Sequence, residues 1–218
     1  MAKLLKADLH IHTEYSMDCN TPLEKIISCC LEKGINCIAI ADHGTADGAL
    51  KMQAIAPFKV IVAEEILTHD GEIMGMFLEE TIPSRLSMEQ TISRIRAQDG
   101  LVCIPHSFDT IYRHSLGGKM LETLLGQIDI IEVFNARSPF PQNSVRAKAF
   151  AEKYGIPGSA GSDAHTTGEV GNAYIEIPEF NNKDEFLQAL AKGRVFGKRT
   201  SPLVHFHGLW SRLKKRLW

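Results

Sequence analysis

Histidine and carboxylate side chains follow the ends of several short apolar segments of this sequence. In His10-Ile11-His12 the two imidazoles lie on the same side of an extended strand, because side chains alternate there, and two such rings can chelate one cation. Asp163-Ala164-His165 repeats the spacing with one carboxylate and one imidazole. Mixed nitrogen and oxygen ligands without thiolate predict Zn²⁺, Mn²⁺ or Fe²⁺, in two or three copies because the ligands exceed the needs of one ion. The other members of this set are Asp18, Asp42, His43, Glu64, Glu65 and His106.

These segments can form one site only if the fold brings them together. Apolar runs at 4–9, 37–41, 60–63, 101–104, 128–134, 158–161 and 173–177 predict strands, and 66–78 predicts a hairpin around Asp70-Gly71. Helical patterns cover 22–33, 46–56, 87–98, 143–154 and 182–192. About seven β/α units predict a parallel sheet covered by helices, and at 218 residues a closed barrel is favoured over an open doubly wound sheet. Because the carboxyl ends of parallel strands open on one face of a barrel, the polar segments would meet there.

Composition excludes several other classes of protein. With 44% hydrophobic and 23% charged residues, the chain is of ordinary globular type, and a net charge of −2 argues against a surface dedicated to nucleic acid. No apolar run reaches the roughly 18 residues of a membrane span, and the amino terminus lacks the apolar segment of a signal peptide. Five cysteines without a C-x-x-C pair indicate reduced thiols, and therefore a cytoplasmic location. We expect one domain over 1–200, followed by a basic and aromatic tail over 201–218 that is predicted to be helical.

The ordered set of motifs resembles the PHP (polymerase and histidinol phosphatase) superfamily of metal-dependent phosphoesterases. The resemblance extends from about residue 6 to residue 200. It implies a distorted, seven-stranded (β/α)7 TIM-like barrel, in agreement with the count of units above. The motifs that carry it are Asp8-Leu9-His10-Ile11-His12-Thr13 with Ser16 and Asp18, Ala41-Asp42-His43, Glu65-Ile66, Pro105-His106 and Gly161-Ser162-Asp163-Ala164-His165.

The resemblance also implies how two or three divalent ions (Mn, Zn or Fe) would be bound. A first ion would be held by His10, His12, Glu65 and Asp163, a second would share Glu65 and use His106, and a third would take Asp18, His43 and His165. Members of the superfamily usually have a further His on the strand after the shared Glu, where this chain has Glu72. Glu72 is either another ligand or a surface residue beside a weaker second site. Amidohydrolase barrels also begin with His-x-His, but they need a metal-bridging Lys that is absent from the predicted strand ends.

The implied activity is hydrolysis of a phosphomonoester or phosphodiester through a metal-activated hydroxide, with no covalent nucleophile. The expected partner is a small phosphorylated metabolite, a nucleotide or the end of a short oligonucleotide. The alternative is a non-catalytic, metal-binding PHP module with a structural or partner-binding role, which the replacement at Glu72 favours. The expected catalytic residues are His10, His12, Glu65, Asp163 and His165. The candidate substrate-binding residues, which follow predicted strands and offer donors for a phosphate, are Arg113, Asn135, Arg137 and Arg199.

Overall fold

One mixed sheet organises the chain in the computed structural model, which describes residues 4–109 and 114–201. The strands are β1 (Leu4–Ile11), β2 (Cys37–His43), β3 (Lys59–Leu67), β4 (Glu72–Met76), β5 (Leu101–Ile104), β6 (Ile130–Asn135), β7 (Gly158–Gly161), β8 (Ala173–Pro178) and β9 (Arg194–Gly197). The helices are α1 (Leu23–Lys33), α2 (Asp47–Ile55), α3 (Met88–Ala97), α4 (Gly118–Thr123), α5 (Pro141–Tyr154) and α6 (Lys183–Leu190). Strands and helices alternate along most of this length, as predicted.

Seven of the strands curve into a nearly closed barrel. Their order runs from β7 through β6, β5, β4, β3 and β2 to β1, and a parallel bridge between Ile11 and Ala164 then joins the two ends. The amide of Asp163 donates to the carbonyl of His10 at 2.8 Å across this junction. A Cβ atom on Gly161 would lie 2.2 Å from the Cβ of His10, so only glycine allows the two strands to approach this closely. The predicted α/β barrel class is confirmed.

The sheet differs from the expected parallel arrangement in two places. The predicted hairpin forms, so β4 runs antiparallel to both β3 and β5, and no helix separates β3 from β4. On the other side of β1, β8 and β9 extend the sheet by antiparallel pairing. Neither β9 nor α4 was predicted, because a four-residue, mostly exposed strand and a six-residue helix carry too little hydrophobic periodicity.

Alternation along the strands separates an inner from an outer apolar layer. In β2, Ile38 and Ile40 pack outward with α1 and α2, whereas Ala39 and Ala41 face an inner cluster closed by Phe186 of α6. The pairing of β1 with β2 shifts by one residue, from Asp8–Ile38 to Ile11–Ile40. Such a bulge changes which face a side chain points to, so that the paired His residues follow the inner-facing Leu5, Ala7 and Leu9 into the barrel.

Two predictions extend beyond what the structure describes. The tail from residue 202 onward lies outside the described residues, so the helix expected there and the domain boundary at 200 stay predictions. In the part of the chain that is described, no helix combines the length and the apolar character needed to cross a membrane. The cytoplasmic location also stays a prediction.

Candidate metal centre

Nine histidine and carboxylate residues meet at the end of the barrel where its parallel strands have their carboxyl ends. They form three groups, and within each group one ligand atom per residue lies within 4.8 Å of the others. These are the nine residues that the resemblance implied as ligands. The groups are His12, Asp18, His43 and His165; His10, His12 and Asp163; and Glu65, Glu72 and His106.

The group from β1 and the segment after β7 is the most deeply buried. Nε2 of His10 and Nε2 of His12 face each other at 3.1 Å, and Oδ1 of Asp163 lies 3.2 Å from Nε2 of His12. Oε2 of Glu65 reaches this group from β3, at 3.4 Å from the same two nitrogens. Glu65 therefore connects the first group to the second, as expected for a shared ligand.

The second group joins β3, β4 and the segment after β5. Nε2 of His106 lies 2.7 Å from Oε1 of Glu65 and 3.8 Å from Oε2 of Glu72. Glu72 is the first residue of β4, two and four positions before the inner-facing Met74 and Met76, so it also points into the barrel. The structure thus places Glu72 in the cluster and not on the outer surface.

The third group lies nearest to the opening of the barrel. Asp18 is 3.4 Å from Nε2 of His43 and 3.3 Å from Nε2 of His165. The ring of His12 also belongs here, with its centroid 4.2 Å from that of His165. The side chain of His43 is 19% exposed and that of Glu72 11%, more than their partners in the cluster, so these two residues are the members of the centre that solvent reaches most.

Burial and mutual charge act on these groups in opposite directions. Burial resists protonation of His10, but the carboxylates of Glu132, Glu65 and Asp163 outweigh it and hold the pKa of this imidazole well above its ordinary value. Burial would raise the pKa of Glu65, yet His43, His10 and His106 bring it well below the usual range. For His12, burial and the adjacent His165 lower the pKa to about 3. The cluster therefore presents anionic carboxylates to imidazole nitrogens at short range.

A carboxylate that sequence reasoning missed orients two of the imidazole-bearing residues. Nδ1 of His10 donates to Oε1 of Glu132 at 3.1 Å, which fixes the ring with Nε2 directed into the cluster. Oε2 of Glu132 accepts from the amide of His106 at 2.7 Å and from the side chain of Asn135 at 2.9 Å. The sequence signal was available, because a Glu inside the apolar run 128–134 needs a buried partner.

Further carboxylates hold the segments that carry the centre. Asp42 accepts from both the amide and the hydroxyl of Thr13, at 2.6 and 2.7 Å, and so fixes the chain directly after His12. Glu64 accepts from the amide of Ile82 at 2.8 Å. Both point outward from their strands, next to inner-facing His43 and Glu65. Asp42 thus supports a segment that carries a candidate ligand, whereas the expectation that Glu64 faces the opening is wrong. Alternation along β2 and β3 is the physical reason.

Three of the four predicted substrate-binding residues contact other residues of the chain. The side-chain amide of Asn135 donates to Glu132 and to Asp163, and its oxygen accepts from two backbone amides. Arg137 is buried, with its guanidinium against Nδ1 of His165 and its Nε 3.3 Å from Glu169. Arg199 contacts the carbonyl of Ser138 and the hydroxyl of Ser144. Arg113 lies outside the described residues, and a role in substrate binding stays a prediction for all four.

The donor set fits divalent cations. Nε2 of His10 faces Nε2 of His12, and carboxylates surround both rings, so nitrogen and oxygen atoms that can bind a metal converge on one region of the barrel. Burial of so many ionisable groups is unfavourable unless they are paired with one another or bound to a cation. His106 and Asp163 also adopt positive backbone angles, with φ of 28° and 52°. Strained backbone of this kind persists where the surrounding structure holds a functional side chain in place.

Comparisons with known proteins show the family of this chain. The model of the PHP domain matches residues 8–82, and that of a PHP-associated region matches residues 142–195. The uncharacterized protein MJ0417 of Methanocaldococcus jannaschii is 37% identical over 180 residues, which cover 81% of this chain and 72% of that protein. The chain belongs to the PHP family.

Solved structures similar to this PHP protein share its fold. A two-domain protein from Bacteroides vulgatus, containing a predicted PHP-like metal-dependent phosphoesterase, matches with a TM-score of 0.73 and 13% identity. The match covers 90% of this chain and 66% of the Bacteroides protein. A candidate metal-dependent phosphoesterase from Bifidobacterium adolescentis matches with a TM-score of 0.65 and 15% identity, over 89% of this chain and 98% of that one. At these identities the likeness concerns the fold alone.

Proposed function

We propose that this protein is a metal-dependent phosphoesterase that hydrolyses a phosphomonoester or phosphodiester of a small phosphorylated metabolite or nucleotide. The observation that carries the proposal is the convergence of five imidazoles and four carboxylates at the open end of the barrel. The descriptions of the Bacteroides and Bifidobacterium proteins as metal-dependent phosphoesterases support the same activity.

The three groups of side chains would hold two or three divalent cations. His10, His12 and Asp163 would form one binding position, Glu65, Glu72 and His106 a second, and Asp18, His43 and His165 a third. Bound divalent cations supply Lewis acidity, which lowers the pKa of water and neutralises charge on phosphoryl oxygens. Mn²⁺, Zn²⁺ and Fe²⁺ all suit these ligands.

The residues of the chain itself orient the ligands and keep other nucleophiles away. Glu132 fixes the orientation of the His10 ring, and the amide of His165 donates to Glu169, which is paired with Arg137. Cys19 donates its thiol to the carbonyl of His165, and burial raises its pKa to about 11, so it is a poor nucleophile. We therefore propose water as the attacking group and the solvent-accessible side of the centre, which carries His43 and Glu72, as the path of the substrate.

The test is release of inorganic phosphate by Mn²⁺-reconstituted protein. The panel contains histidinol phosphate, adenosine monophosphate, adenosine 3′,5′-bisphosphate and a short 5′-phosphorylated oligonucleotide. We expect turnover of at least one substrate, lost by about 100-fold or more in Asp163→Asn because a charged group at the reacting centre is removed. The matched control is Asp184→Asn, which makes the same chemical change on the exposed side of α6 and should retain full activity.

Two results would contradict the proposal. Full turnover by metal-loaded Asp163→Asn would show that the cluster does not perform the reaction. Bound metal without release from any substrate would favour the non-catalytic PHP module instead.

A further inference from the structure

The groups of the centre differ in the chemistry of their ligand atoms. Glu65, Glu72 and His106 offer two carboxylates and one imidazole, whereas His12, Asp18, His43 and His165 offer one carboxylate and three imidazoles. Carboxylate oxygens suit hard cations such as Mn²⁺, and imidazoles suit Zn²⁺ and Fe²⁺. The two groups lie in one barrel but present different surroundings to a metal ion.

Glu72 is the residue that produces this difference. Oε1 of Glu65 lies 2.7 Å from Nε2 of His106, and Oε2 of Glu72 approaches the same nitrogen to 3.8 Å. Two carboxylates on one side of a single imidazole repel each other unless a cation lies between them, and this repulsion is strongest where water is excluded. An uncharged nitrogen ligand in place of Glu72 would remove the repulsion, and with it part of the preference for a hard cation.

The position of Glu72 also allows this residue to be substituted with little effect on the other two groups. Glu65 lies near His10, His12, His43 and His106, so its replacement would affect every group. Glu72 approaches His106 from the rim of the barrel, with 11% of its side chain exposed. Its backbone is held independently, since its amide donates to the carbonyl of His114 at 2.9 Å.

We propose that Glu72 makes the Glu65–Glu72–His106 group selective, relative to the imidazole-rich group, for a hard divalent cation represented by Mn²⁺. Zn²⁺ binds more tightly than Mn²⁺ to most protein sites. Selectivity here therefore means that the affinity advantage of Zn²⁺ over Mn²⁺ is smaller at the Glu65–Glu72–His106 group than at the imidazole-rich group. When Mn²⁺ is in large excess over Zn²⁺, the Glu65–Glu72–His106 group would therefore take Mn²⁺ before the imidazole-rich group does. This inference rests on the metal centre in the proposed function, but not on the identity of the substrate.

The test is competitive metal binding to the full chain without any substrate. Apoprotein is equilibrated with Mn²⁺ and Zn²⁺ together, bound metals are counted by elemental analysis, and bound Mn²⁺ is followed by the loss of its free electron-spin resonance signal. The variants are Glu72→His and Glu72→Gln. The matched control is Glu80→His, which adds an imidazole at an exposed position of the loop after β4. Circular dichroism of each apoprotein checks that the fold is kept.

We expect Glu72→His to change the Mn²⁺-to-Zn²⁺ affinity ratio of one bound ion by at least about tenfold in favour of Zn²⁺, since even partners that only orient a ligand contribute this much. Glu72→Gln should weaken one ion of either metal, and Glu80→His should match the wild type. Equal ratios in the wild type and Glu72→His, or a uniform weakening of all ions, would overturn the inference. A shift in the ratio without phosphate release would uphold it while contradicting the proposed function.

Discussion

The two halves of the barrel interior are built from the same strands but have opposite chemistry. In the lower half, near the amino ends of β1, β2 and β3, inner positions carry Leu5, Ala7, Ala39 and Ile61, and α6 closes the cluster with Phe186. In the upper half, the same inner faces continue into the nine residues of the metal centre. Both halves are almost completely buried, so exposure to water does not distinguish them.

The difference shows how stability and function are divided within this fold. Burial of apolar side chains in the lower half contributes about 25 cal/mol for each Å² removed from water. Burial of carboxylates and imidazoles in the upper half is unfavourable unless they are paired or bound to a cation. The lower half therefore stabilises a barrel whose upper half is arranged for binding.

The largest expected effect comes from placing an ionisable side chain, of the kind found in the upper half, in the apolar lower half. Ala39→Asp places a carboxylate at a fully buried inner position without imidazoles nearby. We expect the free energy of unfolding to fall by roughly 4 kcal/mol or more, as measured by urea denaturation at pH 7. The control is Ala39→Asn, which has the same shape without the charge. Equal stability of the two variants would mean that the lower half tolerates charge and that the contrast is false.

A smaller effect is expected from Glu64, which is buried like Glu65 but lies on the outer face of the same strand. Burial and the nearby Asp47 raise the pKa of Glu64 to about 8, although the Ile82 amide acts against this. Between pH 4.5, the ordinary pKa of the carboxyl, and pH 8, Glu64 is protonated in the folded state but ionised in the unfolded state. The free energy of unfolding therefore decreases as the pH rises toward 8.

Glu64→Gln should remove this dependence on pH. Between pH 5.5 and 8, the unfolding free energy of the variant relative to the wild type should rise by roughly 3 kcal/mol, measured by denaturation at constant metal concentration. A constant difference over this range would show that Glu64 ionises normally. Asp70→Asn, an exposed substitution in the turn after β3, is the control for general charge effects.

The smallest effect should come from Glu132, at the base of the upper half. A glutamine side chain has only one oxygen acceptor, so either Nδ1 of His10 or the amide of His106 loses its partner in Glu132→Gln. We expect metal affinity to fall by about 10- to 100-fold, as measured by calorimetric titration of the apoprotein. Glu122→Gln, at an exposed position, should bind metal as the wild type does. Unchanged metal affinity in Glu132→Gln would mean that the ligands of the upper half do not depend on hydrogen bonds to residues outside the cluster.

Several local features of this chain follow from sequence alone. The alternation of strand side chains put His10 and His12 on one side, and the helical pattern over 87–98 predicted the helix α3. Asp70-Gly71 marked the hairpin that brings Glu72 beside Glu65. The resemblance of the ordered motifs to the PHP superfamily implied all nine residues that converge, including Glu72.

Only the tertiary structure determines in which direction other side chains point and which residues they contact. A one-residue bulge in β1 turns His10 and His12 inward after Leu9, and alternation in β3 sends Glu64 outward beside an inward Glu65. Asn135 and Arg137 stand at a strand end, and the closed barrel places them in contact with Glu132, Asp163, His165 and Glu169. Sequence patterns indicate on which face of a single strand or helix a side chain lies. Partners that come from segments more than 100 residues apart, such as His10 and Glu132, are determined only when the barrel closes.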